Sequence, residues 1–196
     1  MQSLLAFVLA VVVGLVVYIA VVYVPAVKFL ARMPVGKFLK GCLTPQAIAA
    51  ATTSSPATVP AMLEAANGEL DVSRPVSSFV IPLGAALGRG GAALFQGAGI
   101  VFLAWLYSVS LAATGVGGAV LATFIVSFTV ASVPGGSVLS MVPALQTVGI
   151  PIDGLAVLLG VDRVPDMART ATNVTGTLTA TVVVDRMERR LENRKK

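Results

Sequence analysis

Five polar residues in the last third of the chain are spaced so that they could bind a small charged solute. They follow one another at intervals of 4, 3, 4 and 4, which places them on one face of a helix: Asp162, Asp166, Arg169, Asn173 and Thr177. The guanidinium of Arg169 can hold a carboxylate through two parallel hydrogen bonds, and Asp166 can bind an ammonium group. The pattern favours a small acid with two anionic groups, or an acidic amino acid, over an Asp–Arg pair that only joins helices.

The composition excludes several other kinds of chemistry. The chain has no histidine and a single cysteine, Cys42, so it cannot build a His-based catalytic triad, a histidine metal site or an internal disulfide. We find neither a nucleophile nor a metal-ligand cluster in the sequence, and we expect no enzymatic activity and no cofactor. Since no basic face with interleaved aromatic residues occurs, nucleic acid is not an expected partner.

The residues that could bind a solute must be positioned by helices in a lipid bilayer. Of the 196 residues, 56% are hydrophobic and 12% are charged, which is too little polar surface for a water-soluble protein of 20.0 kDa. Charged residues are missing from three stretches: 1–27, 41–63 and 90–152. Long charge-free stretches of this kind indicate an all-α membrane protein.

Three segments are long enough to cross the bilayer as helices, and we predict spans at 1–33, 72–113 and 152–185. The second span is interrupted by Gly88-Arg89-Gly90-Gly91. Local unwinding is expected there, because each glycine destabilises a helix by about 1 kcal/mol relative to alanine. Residues 186–196 are rich in Lys and Arg and are interpreted as a basic cytoplasmic tail at the plasma (inner) membrane.

Two further apolar segments are each divided by a polar turn, and we predict re-entrant helical hairpins at 36–67 and 116–149. The turns read Thr52-Thr53-Ser54-Ser55-Pro56 and Ser132-Val133-Pro134-Gly135-Gly136-Ser137. A broken hairpin leaves a helix N-terminus inside the protein, where free N–H groups attract anions. A broken hairpin followed by an interrupted span, twice over, is typical of secondary transporters.

The predicted topology bears on the N-terminus. Three full crossings and a cytoplasmic C-terminus place Met1 on the outer side, with no signal for its translocation. We therefore expect that earlier spans are missing from this chain or lie on another chain.

The sequence resembles a known family in three places. Residues 162–176 read DRVPDMARTATNVTG, and the two polar turns contain Ser54-Ser55-Pro56 and Val133-Pro134-Gly135. These motifs are similar to those in the C-terminal, transport-domain portion of the dicarboxylate/amino acid:cation symporters, which have the glutamate-transporter fold. The resemblance implies an elevator-type transport domain with three transmembrane helices and two re-entrant hairpins, housed in a homotrimer when the scaffold spans are present.

The resemblance also implies a role for each matching residue. Residues of the two hairpin turns would hold the main carboxylate of the substrate: Ser54, Ser55, Val133, Pro134 and Ser137. Asp166 and Asn173 would bind the amino or equivalent group of the substrate. Thr170 would line the pocket, and Arg169 would bind the distal carboxylate. The implied function is a symporter-like secondary active carrier of a dicarboxylate or an acidic amino acid.

The cation sites of the family are altered in this sequence. The unwound stretch reads Gly88-Arg89-Gly90-Gly91-Ala92 instead of Asn-Met-Asp-Gly-Thr, and Thr177 replaces an aspartate. Because hard cations need several oxygen ligands, the usual sodium sites are interpreted as degenerate, with residual cation contacts at Gly84 and Asn173.

Arg89 appears in the stretch where the cation ligands are lost. We interpret Arg89 as a fixed positive charge that, with Asp162, balances the charges of the site in place of a bound cation. Transport would then be independent of Na⁺ and either coupled to H⁺ or uncoupled. The alternative is that Arg89 extends into a water-filled cavity of a decayed relative.

A different class of function is compatible with the same residues. Because the scaffold spans of the family are absent from this chain, it could be a non-transporting remnant or an assembly subunit. In either case we expect membrane lipids as partners, and a transporting form also binds a small carboxylate substrate.

Overall fold

The computed structural model of the protein describes residues 2–111 and 135–195, together with Gly117, Gly118, Val120, Leu121 and Thr123. Throughout these residues the regular structure is helical, which confirms the predicted all-α class. The chain divides into two compact units. The first unit comprises Met1–Leu15 and Arg89–Arg169, and the second comprises Val16–Gly88 and Thr170–Lys196.

The N-terminal helix is long and apolar. Helix α1 spans Gln2–Tyr18, and two π-helical segments follow it, Ile19–Tyr23 and Ala26–Ala31. The helical path ends at Arg32, whose φ of 53° is left-handed. Most of the large apolar side chains along this path are exposed or only partly buried, as expected for a helix whose surroundings are lipid.

Within the second unit, a pair of helices joined by a polar turn follows Arg32. Helix α2, Val35–Thr52, and helix α3, Val59–Asn67, pack against each other, and a short 3₁₀ segment, Pro56–Thr58, precedes α3. Helix α2 ends because Thr53 has a left-handed φ of 50°, and the Thr53 N–H donates to the carbonyl of Ala49 at 2.8 Å. These helices occupy the predicted first hairpin at 36–67, and its re-entrant insertion stays a prediction.

Helix α4, Arg74–Leu87, packs against α3 and completes the core of the second unit. Every element around this core contributes buried side chains to it. Six of these side chains are Val27, Phe38, Cys42, Met62, Ile81 and Leu178. Cys42 is a free thiol that is fully buried here, so its observed role is packing.

The first unit is built on helix α5, Gly90–Leu106, and on three short helices: α6, Gly136–Leu139; α7, Val142–Thr147; and α8, Gly154–Leu159. Its core includes Phe7 of α1 and Phe95 and Leu103 of α5. Helices α6 and α7 lie in the second half of the predicted hairpin at 116–149. The turn residues Ser132, Val133 and Pro134 of that hairpin lie outside the described residues.

The last helix, α9, spans Arg163–Lys195 and has 33 residues. The predicted last span at 152–185 therefore contains α8, a turn at 160–162 and the larger part of α9, instead of one continuous helix. Among the described residues, two helical segments are long and apolar enough to cross a membrane, Gln2–Ala31 and Arg74–Leu106. They correspond to the predicted spans at 1–33 and 72–113, and the third span stays a prediction.

Candidate functional site

A buried cluster of three charged side chains lies in the first unit. The Arg169 side chain is only 2% exposed. Its Nη1 atom donates to Asp162 Oδ1 at 2.6 Å, and its Nη2 atom donates to Asp162 Oδ2 at 3.0 Å. Nη2 also lies 3.0 Å from Asp166 Oδ1. Arg169 is therefore held by one carboxylate through two parallel hydrogen bonds and by a second carboxylate through an ion pair.

The start of helix α9 positions this cluster. Asp162 directly precedes the first helical residue, and its carbonyl accepts the backbone N–H of Asp166 at 2.8 Å. Asp166 lies in the first turn of α9, where a negative charge is stabilised by the helix dipole. Pro165 also lies in this turn, where its missing N–H costs nothing. The guanidinium carbon of Arg169 lies 4.4 Å from the centre of the Phe95 ring, a cation–π contact.

The charges of this cluster do not cancel. Two carboxylates and one guanidinium carry a net charge of −1 when all three are ionised, and all three side chains are buried. Burying charges is costly, and a pair that only joins helices needs a single carboxylate. Because two carboxylates are present, the guanidinium can exchange one carboxylate partner for another.

The described part of the predicted second hairpin turn reaches the same cluster. Gly135 has a left-handed φ of 75°, which a glycine adopts without strain, and its backbone hydrogen-bonds to the Asp166 carboxylate. Ser137 is buried, and its carbonyl accepts the Nε2 of Gln96 at 3.2 Å and the hydroxyl of Ser140 at 3.0 Å. Of the predicted site residues, the first unit thus brings Asp162, Asp166 and Arg169 into contact, and it also contains Ser137.

Gln96 is a polar residue that the motif reasoning did not assign to the site. It is almost fully buried in α5, and its Nε2 also donates to the Ser140 hydroxyl at 2.9 Å. The available signal was a glutamine in the middle of an apolar helix, which needs internal hydrogen-bond partners.

The turn between α2 and α3 in the second unit contains two buried hydroxyls that lack partners. The Oγ1 of Thr53 and the Oγ of Ser55 have no hydrogen-bond partner within the described part of the chain, and the two residues are 5% and 3% exposed. Ser54 is half-buried, and its hydroxyl and carbonyl are used within the turn by the Ala57 N–H and the Thr58 hydroxyl. Because a buried, unsatisfied hydroxyl costs about 1–3 kcal/mol, Thr53 and Ser55 are candidate ligand donors.

Thr170, Asn173 and Thr177 are buried on the part of α9 that belongs to the second unit. The Thr177 hydroxyl donates to the carbonyl of Asn173 at 3.2 Å. Thr177 also packs directly on α4, because a Cβ added to Gly84 would lie 2.6 Å from Thr177 Cγ2 and 2.9 Å from its Oγ1.

The residues around Thr177 do not fit a sodium site that contains a carboxylate. The side chain at position 177 is neutral, its hydroxyl is engaged with Asn173, and its methyl group fills the space next to Gly84. Within the described residues, no group of three or more His, Cys, Asp or Glu side chains is placed to hold a metal ion. The residual cation contacts at Gly84 and Asn173 stay a prediction.

Arg89 precedes helix α5 in the first unit and is half-buried, with a φ of −115°. It lies directly after Gly88, where the apolar segment is interrupted as predicted from its glycines. Its proposed role in charge balance stays a prediction.

Comparison with known proteins identifies the family. The family model described as the sodium:dicarboxylate symporter family matches residues 1–187. The chain is 36% identical over 177 residues to the proton/sodium-glutamate symport protein of Bacillus subtilis strain 168, which covers 88% of this chain and 41% of that protein. It is 37% identical over 150 residues to the proton/glutamate-aspartate symporter of Escherichia coli K12, covering 76% and 34% of the two chains.

A mammalian relative gives the same result. The neutral amino acid transporter A of Bos taurus is 38% identical over 140 residues, which is 71% of this chain and 26% of that protein. The matched part thus spans about a quarter to two fifths of the length of these curated relatives. A family model that matches residues 1–187, together with these relatives, leads to one conclusion: the chain belongs to the sodium:dicarboxylate symporter family, whose members are membrane transporters and not enzymes.

Proposed function

We propose that this chain is the transport-domain portion of a secondary carrier that moves a dicarboxylate or an acidic amino acid across the membrane by an elevator-type mechanism. The observation that carries the proposal is the buried Arg169, whose two terminal nitrogens are held by two carboxylates of the same chain. A buried guanidinium that is bonded to two carboxylates is suited to exchange one of these carboxylates for a carboxylate of a solute.

The exchange can be followed atom by atom at the guanidinium. The incoming carboxylate takes the two hydrogen bonds that Arg169 now gives to Asp162, and Asp162 is released toward water or toward a positive group. Asp166 keeps the hydrogen bond from Gly135 and its ion pair with Arg169. The substrate thereby replaces an existing ion pair. Because the Arg169 guanidinium is already held in position, little side-chain ordering is needed on binding.

The second charged end of the substrate needs donors of its own. Ser55 is proposed as one such donor because of its matching motif position, and its hydroxyl has no partner among the described residues. Ser54, Val133, Pro134, Ser137, Thr170 and Asn173 are proposed contacts on the basis of their matching motif positions. An ammonium group on the substrate is proposed to lie against Asp166 or Asn173.

Charge balance distinguishes sodium-coupled from sodium-independent transport. The cluster carries a net charge of −1, and a substrate carboxylate adds to it. With no carboxylate at Thr177, we propose that Arg89 supplies the balancing positive charge and that transport is independent of Na⁺. Coupling to H⁺ would supply the same balance by protonating one of the two aspartates.

The remaining features of the proposal follow the family. We propose three spans and two re-entrant hairpins with the boundaries predicted above, a homotrimer where scaffold spans are present, and a location in the plasma membrane with the tail at 186–196 in the cytoplasm. The basic composition of that tail supports the orientation.

Uptake into proteoliposomes tests the proposal. The full chain is reconstituted, and labelled glutamate, aspartate and succinate are offered with a sodium gradient, with a proton gradient, and with neither. We expect uptake of at least one acid without sodium, loss of uptake in Arg169→Gln, and normal uptake in Arg163→Gln, which removes an exposed arginine of the same helix. Strict sodium dependence would overturn the role of Arg89.

A non-transporting assembly subunit is the second candidate, and one observation favours it. The guanidinium nitrogens of Arg169 already donate hydrogen bonds to a carboxylate of the chain itself. Thermal unfolding in detergent separates the two candidates, because a ligand at 100 times its Kd stabilises the folded state by about 2.7 kcal/mol. No stabilisation by any of the three acids, together with no uptake, would favour the subunit.

A further inference from the structure

A pocket with a surplus of basic side chains lies within the second unit and shares no residue with the Asp-Asp-Arg cluster. Its cavity measures about 210 Å³, far above the roughly 15 Å³ that one water molecule needs. Four of its lining residues are basic and two are acidic, which gives a net charge of +2: Arg32, Lys37, Arg186, Arg189, Asp71 and Asp185. We call this cavity the basic pocket.

The two acidic residues of the basic pocket are already engaged. The Oδ1 atom of Asp185 accepts the backbone N–H of Ser73 at 2.9 Å, and its Oδ2 atom accepts the Nε of Arg189 at 2.7 Å. Asp71 pairs with Lys37, and its carbonyl accepts a second N–H group of Arg189. These bonds fix the walls of the pocket, and they leave the carboxylates little capacity to neutralise another basic group.

Arg186 is the basic residue of the pocket that has donor capacity left over. Its Nε atom is buried and has no hydrogen-bond partner within the part of the chain that the structure describes. Arg32, at the end of the N-terminal helix, also lines the cavity and forms no ion pair with a described carboxylate. A buried guanidinium N–H without an acceptor is costly, so an anion from outside is expected to complete it.

The position of the basic pocket along the helices indicates where such an anion comes from. The N-terminal helical path has no charged residue before Lys28, and its last turn also carries Phe29 and Leu30, which are 67% and 51% exposed. Arg32 and Lys37 follow directly. A change from exposed apolar to basic residues within one turn is typical of the boundary between the acyl chains and the headgroups of a bilayer.

We propose that the basic pocket binds a phosphate group, with Arg186 and Arg32 as its principal donors and with the headgroup of an anionic phospholipid as the main source. Arginine suits this role because its planar fork matches the oxygens of a phosphate. The proposal does not depend on the transported substrate, since the pocket shares no residue with the Asp-Asp-Arg cluster.

Lipid binding to the purified full chain tests the proposal. The chain is placed in nanodiscs or micelles of phosphatidylcholine and titrated with phosphatidylglycerol, and bound lipid is counted by native mass spectrometry. Replacement of one of the two principal donors by Arg186→Gln is expected to weaken binding by roughly tenfold. Lys40→Gln is the matched control, because it removes one exposed positive charge close to the pocket in sequence without lining it, and it should bind as the wild type does.

A second arm separates the two sources of phosphate. Inorganic phosphate is added to the chain in neutral detergent, and the melting temperature is recorded for the wild type, Arg186→Gln, Arg32→Gln and the control Lys40→Gln. If phosphate raises the melting temperature of only the wild type and Lys40→Gln, and phosphatidylglycerol does not compete with phosphate, the result supports the pocket but assigns it to a soluble phosphate. Should Arg186→Gln fail to fold, Arg32→Gln serves in both arms. Equal weakening in Lys40→Gln and Arg186→Gln, or no binding of either probe, overturns the proposal.

Discussion

Adding a methyl group at Gly84 should destabilise the second unit through a clash with Thr177. In a Gly84→Ala variant the new Cβ would lie 2.6 Å from Thr177 Cγ2, 2.9 Å from its Oγ1 and 3.1 Å from its Cβ. Non-bonded carbon atoms prefer a separation of about 3.5–4.0 Å, so the overlap is roughly 1 Å. Thr177 cannot easily turn away, because it is β-branched and its hydroxyl is bonded to the Asn173 carbonyl.

The expected magnitude follows from two opposing effects. Overpacking of this kind costs about 1–3 kcal/mol, whereas replacing glycine by alanine inside a helix gains up to about 1 kcal/mol. Since the Thr177 side chain is buried and its own Cβ is also too close, we expect a net loss of about 1–2 kcal/mol. For a chain of this length, that corresponds to a fall in melting temperature of roughly 2–8 °C.

The assay is thermal unfolding of the full chain in detergent, followed by circular dichroism, for four proteins of a double-mutant cycle. Gly84→Ala and Thr177→Ala are measured singly and together, because Thr177→Ala removes the two closest atoms. The pair should recover about 1 kcal/mol relative to the sum of the single changes. Gly36→Ala is the control, since a Cβ at Gly36 meets no atom within 4 Å. A clash with Thr177 is excluded if Gly84→Ala melts as Gly36→Ala does, or if the two changes are additive.

Three further predictions use other contacts of the structure. Arg169→Gln should destabilise the chain by about 3–5 kcal/mol at neutral pH in denaturation experiments, because it leaves two buried carboxylates unpaired. Ser55→Ala should leave the melting temperature within about 2 °C of the wild type, since its hydroxyl has no partner among the described residues, but should weaken carboxylate binding by roughly tenfold. The Lys37 ammonium holds the pKa of Asp71 below its ordinary value, so this carboxyl contributes stability at any pH above its unfolded pKa. The free energy of unfolding of Asp71→Asn should therefore match that of the wild type only once the pH falls below the folded pKa of Asp71.

Each of these changes has a matched control. Arg163→Gln removes an exposed arginine six residues before Arg169 and should not alter stability. Ser77→Ala removes a buried hydroxyl that is bonded to Asn67 at 2.8 Å and should lower the melting temperature, unlike Ser55→Ala. Glu69→Gln removes an exposed carboxyl near Asp71 and should leave the pH dependence unchanged. A control that behaves like its test variant would contradict the corresponding contact.

The breaks between helices were predictable because their causes are local. The Gly88-Arg89 interruption lies between helices that end at Leu87 and begin at Gly90, and the turn at Thr53–Pro56 follows a helix that ends at Thr52. Glycine, proline and hydroxyl side chains each disfavour continued helix, and the helices end where several of them cluster, whereas the single Pro45 and Pro82 lie inside α2 and α4. The separation of α8 from α9 at residues 160–162 was not predicted, since a single glycine in an apolar run does not mark a helix end.

Partners in the tertiary structure were less predictable, and Asp162 shows why. Spacing alone places Asp162 and Arg169 seven residues apart on one helix, which at 1.5 Å per residue is roughly 10.5 Å along the axis and too far for two parallel hydrogen bonds. By spacing alone, Asp166, three residues from Arg169, is the nearer of the two carboxylates. In the structure α9 begins at Arg163, so Asp162 lies in the preceding turn, and its carboxylate reaches the guanidinium. Under the proposed function, Asp162, more than Asp166, is the group that an incoming carboxylate would displace, because the start of α9 at Arg163 leaves Asp162 within reach of the guanidinium.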